Sequence, residues 1–357
     1  MTHRDAGTSG AEPDLPGRRA LLATGVALTA GTVAAGAGAA QRTPRKATSR
    51  SAGDHGVVAG IEHRLCNLQR ADGYGIGVEL DRGILDVMAT AARLRMDVPA
   101  DMDDLLQNGR GGELRALLDR VERTPASAIL LAPGAVRFAP LVTRPEKIIC
   151  IGFNYRKHAE ETGTPIPKAP PMFCKFNNAL TEHGGTVKLP TKLDYQFDYE
   201  TELVIVMGRK CKDATEANAL DYVAGFATGN DLSARQLQRV TSQFMAGKAI
   251  DGFAPLGPWL GTRRRIPDPH TLRISTKVNG AVRQDWTTGD MIFNCHQLVA
   301  YASSIMTLRP GDIIFTGTPH GVILGEKKPA AERRWLRPGD EVISELQGLG
   351  ELKVTLS

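Results

Sequence analysis

What the chain lacks limits its chemistry before any motif is considered. It has five cysteines (Cys66, Cys150, Cys174, Cys211 and Cys295), an odd number, scattered and without a Cys-x-x-Cys pair. That spacing supplies neither a disulfide framework nor a zinc site, so core packing is the default role for each. Beyond residue 50 there is no long apolar run of membrane-spanning length and no internal repeat. Nor does that part carry a charge excess: residues 1–50 hold seven Lys/Arg against three Asp/Glu, and the remaining 307 hold 37 against 36. A body so close to neutral gives no electrostatic case for nucleic acid or for a membrane surface. Aromatic residues are sparse at 5%, but 42% of the 357 residues are hydrophobic, enough for one large core or two modest domains.

The basic excess belongs to the first residues. Arg18-Arg19 precede an uncharged Ala/Gly/Leu/Thr stretch from Ala20 to Ala40, with Ala37-Gly38-Ala39 as a small-residue cleavage site. Residues 1–40 thus resemble a twin-arginine export signal, although Pro16-Gly17 and Ala20-Leu21-Leu22 depart from its usual flanks. An uncleaved anchor is the second reading of a stretch that long, and a wrongly assigned start codon is the third. The expectation is a periplasmic or secreted protein, or a cytoplasmic one if the leader does not function. Export of an already folded chain suits its unpaired cysteines. Residues 41–55, rich in Arg, Lys, Ser, Thr and Gly, read as a disordered tether.

Two regions follow. From 56 to 141 come short strand patterns (Gly75 to Leu80, Gly83 to Asp86) and then helical ones (Asp101 to Leu106, Glu113 to Val121), broken at Gly109-Arg110-Gly111-Gly112. From 145 to 357, apolar runs alternate with Gly/Pro/Asp turns: Lys147 to Ile151, Glu202 to Met207, Leu272 to Val278, Asp312 to Thr316 and Asp340 to Glu345. Helical patterns appear at Ala214 to Leu220, Ala234 to Val240 and Cys295 to Met306. Many short strands with few helices predict an α+β or mainly β body.

The chemistry starts at Tyr199-Glu200-Thr201-Glu202, which opens the buried strand Leu203 to Met207. Side chains alternate along a strand, so Glu200 and Glu202 share a face. Carboxylates aimed together at the mouth of a buried strand repel each other, and a hard divalent cation would relieve them. Taken alone, the motif more commonly means a pair of solvated acids on an exposed edge strand. Asp231, at the end of the strand pattern Gly225 to Asn230, adds a third carboxylate, although a helix cap is its commoner role. His158 and Glu161 lie three apart, on one face of a helix if the segment is helical. A carboxylate beside an imidazole fixes its tautomer and suits a general base, whereas a surface ion pair is the ordinary fate of that spacing. Lys248 stands in an otherwise apolar, Gly/Pro-punctuated stretch with Asp251 close by, where it could stabilise a developing enolate or simply reach solvent. The turn Thr316-Gly317-Thr318-Pro319 offers backbone N–H groups and hydroxyls to a carboxylate, or is a plain tight turn.

Together the order and wording of these segments resemble the fumarylacetoacetate hydrolase family from about Lys147 onward. The carrying residues are Ile151-Gly152-x-Asn154-Tyr155-x-x-His158-x-x-Glu161, Asp198-Tyr199-Glu200-x-Glu202-Leu203, Asn230-Asp231-x-Ser233-Ala234-Arg235, Gly247-Lys248-x-x-Asp251 and Thr316-Gly317-Thr318-Pro319. Residues 57–141 look like the family's less distinctive N-terminal region. The resemblance implies a mixed β-roll catalytic domain, a homodimer, and Mg²⁺, Mn²⁺ or Ca²⁺ held by Glu200, Glu202 and Asp231. It further implies a catalytic dyad of His158 and Glu161 on a lid-like segment, with Lys248 as an electrophilic partner. Arg235, Gln238, Gly317 and Thr318 take substrate-binding positions. A further aspartate ligand used by some members has no counterpart here. The implied substrate is a small 2-oxo or 1,3-diketo acid, and the leading reaction is hydrolysis of a C–C bond in an acylpyruvate or fumarylpyruvate. Decarboxylation, hydration or isomerisation of a related acid is the alternative, and an exported carboxylate-binding protein without turnover is the third. The far wall of the pocket is expected from the loops near 162–175 and 241–246.

Overall fold

The computed structural model describes residues 57–132 and 135–357; the leader and tether expected over 1–55 lie outside the described residues. Two sheets dominate. The larger has ten strands in the order Leu130–Leu131, Gly83–Asp86, Gly73–Leu80, Arg64–Arg70, Trp259–Thr262, Val223–Asn230, Thr201–Met207, Ile313–Phe315, Ile148–Ile151 and Met172–Lys175. The smaller has five, in the order Ala281–Thr287, Arg273–Val278, Glu341–Leu346, Gly350–Leu356 and Gly185–Val187. Neighbours are antiparallel except where Ile313–Phe315 meets Ile148–Ile151 and where Gly350–Leu356 meets Gly185–Val187. This is the sheet-rich α+β architecture expected from the short apolar runs. Among the described residues no helix is long and apolar enough to cross a membrane.

Among the described residues, the first four strands do not form a sheet of their own. Arg64–Arg70 pairs with Trp259–Thr262, so the large sheet runs from the N-terminal region straight into the C-terminal one. The five cysteines are unpaired, four in the core and Cys174 exposed.

Thr201–Met207 is buried along its whole length, because both faces of the sheet are covered. Val204 and Val206 pack into a core beneath the N-terminal helices, with Leu105, Leu117 and Ala227. Leu203, Ile205 and Met207 pack into a second core with Leu298 and Val299 of the helix Cys295–Ile305. The period-two rule therefore places Glu200 and Glu202 on the side of Val204 and Val206. Ala227 in one neighbouring strand, and Cys150 in a strand further along, face the same core. By the same alternation Asp231, Phe173 and Lys175 face that side of the sheet, and the candidate site lies there.

Two expected helices are shorter than their patterns. Ala214 to Leu220 yields only a 3₁₀ turn at Ala219–Tyr222. The Asn218 side chain accepts the Thr215 N–H at 2.9 Å, a local bond that competes with helix formation. Ala234 to Val240 yields Arg235–Gln238, because Ser233–Ala234 is held as a strand against Phe197–Asp198.

Candidate metal centre and acid–base dyad

Asp231 follows directly on Val223–Asn230, whose residues Asn230 and Gly229 pair with Thr201 and Glu202. Its N–H donates to the Glu200 carbonyl at 2.8 Å, so it is fixed by the sheet and does not cap a helix. This register brings one oxygen of each of Glu200, Glu202 and Asp231 within 4.8 Å of the others. All three side chains are buried.

Their partners differ. Glu200 accepts from Arg235 Nη2 at 2.6 Å and from Lys248 Nζ at 2.6 Å. Burial pushes its carboxyl up, but Arg235, then Lys248 and His158, outweigh burial and hold it well below the usual carboxylate range. Glu202 accepts one hydrogen bond, from the Gly317 N–H at 2.7 Å. Burial first, then the neighbouring Asp231 and Glu200, push it well above that range. Asp231 Oδ2 accepts from Lys248 Nζ at 2.7 Å.

Asp231 Oδ1 is the informative atom. Lys175 Nζ lies 2.6 Å away, yet Oδ1 receives no directed hydrogen bond. The ammonium donates instead to the carbonyls of Leu232, Lys248 and Phe253. The contact supplies charge but leaves an acceptor lone pair unused. A buried orphan acceptor, a Glu202 carboxylate with one donor and an all-oxygen ligand set fit a hard divalent cation. Lys248 stays ammonium: burial lowers its pKa, but Asp231 and Glu200 more than compensate.

Phe153 adopts a left-handed φ of 50°, a costly conformation for a residue with a Cβ. It turns the chain out of Ile148–Ile151 towards the helix Arg156–Thr162, and its ring stacks over His158 with centroids 6.3 Å apart. One face of that helix then brings His158 Nδ1 to 3.4 Å from Glu161 Oε2. Glu161 is fixed in turn by the Gly321 N–H, at 3.0 Å from Oε1 and 3.2 Å from Oε2. Gly325 makes the space: a Cβ there would stand 2.1 Å from the Glu161 carboxyl carbon.

His158, the three acids, Arg235, Gln238, Lys248 and Thr318 all line one cavity of about 50 Å³. That is room for a few waters or the reacting end of a small acid. Two larger hollows of about 740 Å³ lie elsewhere, one around Glu62, Arg82 and Arg115, the other outside Met172–Lys175, and neither contains the acids. The far wall takes Phe173 and Phe244 from the two expected segments, Phe173 from the edge strand Met172–Lys175 where a loop was expected.

Three expectations need adjustment. The Gly317 N–H holds Glu202, and φ there is 97°, with a Cβ falling 2.8 Å from Asn154 Cβ, so glycine is required for the turn itself. The Thr318 hydroxyl donates to the Thr201 carbonyl at 2.9 Å and accepts from Gln284 Nε2 at 2.9 Å. These two groups brace the acid strand before they could hold a substrate. Asp251 does not join Lys248; it accepts from Asn178 Nδ2 at 2.6 Å.

Two residues escaped sequence reading. Lys175 sits in an ordinary edge strand. Asp198 stood inside the Asp198-Tyr199-Glu200 wording without a role. Fully buried, it accepts Arg235 Nε at 2.9 Å and Nη2 at 2.7 Å, and the Ile323 and Leu324 N–H groups at 2.9 Å each. Its place two residues before Glu200, within the same short acidic wording, was the available signal.

Comparison with known proteins agrees with this arrangement. The sequence profile described as fumarylacetoacetate (FAA) hydrolase C-terminal matches residues 147–357. The mitochondrial oxaloacetate tautomerase FAHD2A of Bos taurus is 38% identical over 271 residues, 75% of this chain and 82% of that protein. Among solved structures, the fumarylacetoacetate hydrolase of psychrophilic Exiguobacterium antarcticum superposes with a TM-score of 0.67 at 29% identity, covering 83% of this chain and 99% of its own. Maleylpyruvate hydrolase from Sphingobium sp. SYK-6, solved with manganese(II) and pyruvate, gives a TM-score of 0.65 at 28% identity over 82% of this chain and 98% of its own. With its matched profile, its shared sheet architecture and its three convergent carboxylates, the chain belongs to the fumarylacetoacetate hydrolase family.

Proposed function

We propose that the protein hydrolyses the C–C bond of an acylpyruvate-type acid in a divalent-metal-dependent reaction. The observation that carries this reading is the convergence, in one cavity, of three buried carboxylates, a Glu-supported histidine and a buried ammonium. A cation held by Glu200, Glu202 and Asp231 would polarise the carboxylate and keto oxygens of a 2-oxo acid. His158, oriented by Glu161, takes a proton from water. The water oxygen bonds to the distal acyl carbon, and the C–C bond to the pyruvyl unit breaks with its electron pair passing to an enolate. Lys248 stabilises that enolate, and the proton on His158 goes to its carbon, giving pyruvate and a carboxylic acid.

A second reading keeps the same groups: His158 moves a proton between carbon and oxygen of a 2-oxo acid without cleavage. The cattle relative named as a tautomerase favours it. Purified protein is assayed on acylpyruvates and on oxaloacetate, with Mg²⁺ or Mn²⁺ and with chelator. Hydrolysis predicts stoichiometric pyruvate and acid, whereas the second reading predicts enol–keto exchange without fragments. Glu200→Ala lowers either rate about a thousandfold, roughly 4 kcal/mol of barrier. Full activity in that variant or in chelator refutes the metal site.

A further inference from the structure

We infer that the site is matched to a singly charged 2-oxo acid whose other end is a neutral acyl group, and not to a dicarboxylate. The inference rests on the 2-oxo-acid reading above and narrows its substrate.

The first argument is the charge inside the cluster. Lys175, Arg235 and Lys248 face Asp198, Glu200, Glu202 and Asp231, three positive groups against four negative, all buried. The sum is −1, which a divalent cation would bring to +1. That balances one carboxylate. A second would stay uncompensated in a place where water cannot screen it.

The second argument is that the cations at this cavity are largely committed. A guanidinium has five N–H donors. Arg235 directs Nε and Nη2 to Asp198, Nη2 also to Glu200, and Nη1 to Gln238 Oε1 at 3.0 Å. Lys248 gives two of its three protons to Glu200 and Asp231. Lys175 gives its donors to three backbone carbonyls. One N–H on Arg235 and one on Lys248 remain, enough for the reacting carboxylate and enolate.

The third argument is the rest of the lining. The apolar part of the lining is Ile151, Phe153, Phe173, Phe244 and Leu324. Phe153 and Phe173 each meet Phe244 edge to face, at 6.3 Å and 5.6 Å between centroids. These side chains offer a carboxylate no hydrogen-bond donor, so burying one against them costs its solvation without replacement. Lys248 Nζ stands over the Phe173 ring, 5.4 Å from its centroid, so that face is already engaged by a cation. Because Gln238 Oε1 accepts from Arg235, the amide NH₂ is left as a neutral donor of the cavity. A neutral donor suits a ketone oxygen.

The test compares ligands that differ only at the tail. Isothermal titration of the Mn²⁺-loaded full chain with 2-oxopentanoate and with 2-oxoglutarate, both five-carbon acids, is expected to give a Kd at least tenfold lower for the former. Turnover of butanoylpyruvate against succinylpyruvate is expected to show the same preference in kcat/KM. Phe244→Lys should narrow either ratio at least tenfold, with folding checked by circular dichroism. If that variant does not fold, the wild-type ratios decide alone. Equal or tighter binding of 2-oxoglutarate, or equal turnover of succinylpyruvate, overturns the inference and leaves the 2-oxo-acid reading intact. Failure of every 2-oxo acid to bind and react overturns both.

Discussion

Asp103 and Glu202 are both almost wholly buried acids, in surroundings that differ sharply. Asp103 lies in the first turn of the short helix Met102–Gln107, and its oxygens accept the Thr143 N–H at 3.1 Å, the Thr143 hydroxyl, the Arg144 N–H at 3.2 Å and Gln107 Nε2 at 3.4 Å. Glu202 accepts a single N–H and faces two further carboxylates. One acid is enclosed by donors that its own neighbourhood supplies, and its charge holds the loop at 143–144 against the helix. The other retains unused lone pairs and electrostatic strain. Burial alone therefore says little about an acid's purpose; the number of donors it meets says more.

The largest effect that tests this contrast is on turnover. Glu202→Gln should lower kcat about a thousandfold, roughly 4 kcal/mol, and weaken Mn²⁺ binding by titration, while the protein stays folded. Next comes stability. Asp103→Ala orphans several donors and should cost about 3 kcal/mol, or about 6–10 °C in Tm, with kcat per folded molecule unchanged. A drop in kcat there, or a fully stable variant, would erase the distinction. Smaller still is Gly325→Ala, whose methyl must displace the Glu161 carboxyl from His158. It should lower kcat about tenfold and leave Mn²⁺ affinity alone, read from paired kinetics and titration.

The pH dependence of the metal-free protein sharpens the same contrast. Glu202 is held above its unfolded value of 4.5, so its ionisation favours the unfolded chain. Its penalty is absent below that range and grows as pH rises through it. Glu200 is shifted the other way, and its stabilisation is present above pH 4.5 and lost as pH falls. In chelator, then, Glu202→Gln should melt with wild type near pH 4 and increasingly above it toward pH 8. Parallel curves across that span would contradict the repulsion.

Much of this was legible in the sequence because alternation is local. The period-two placement of Glu200 and Glu202, the helical spacing of His158 and Glu161, and the strands at Gly83–Asp86, Ile148–Ile151 and Thr201–Met207 all follow from neighbours a few residues apart. Long-range partners were not legible. Lys175 reaches Asp231 from a strand 56 positions earlier, and its role depends on three carbonyls that no pattern announces. The Gly317 N–H looked free because its acceptor, Glu202, is 115 residues away. Strands such as Arg64–Arg70 and Trp259–Thr262 carry weak patterns and are set by the pairing between them.

That pairing also bears on how this protein can be cut. The matched profile starts at residue 147, but folding does not divide there. A chain beginning at Pro145 would leave one edge of Trp259–Thr262 bare and strip the cover from Val204, Leu260 and Ile313. An uncovered apolar edge recruits other chains, so the shortened protein would aggregate before its catalysis could be measured.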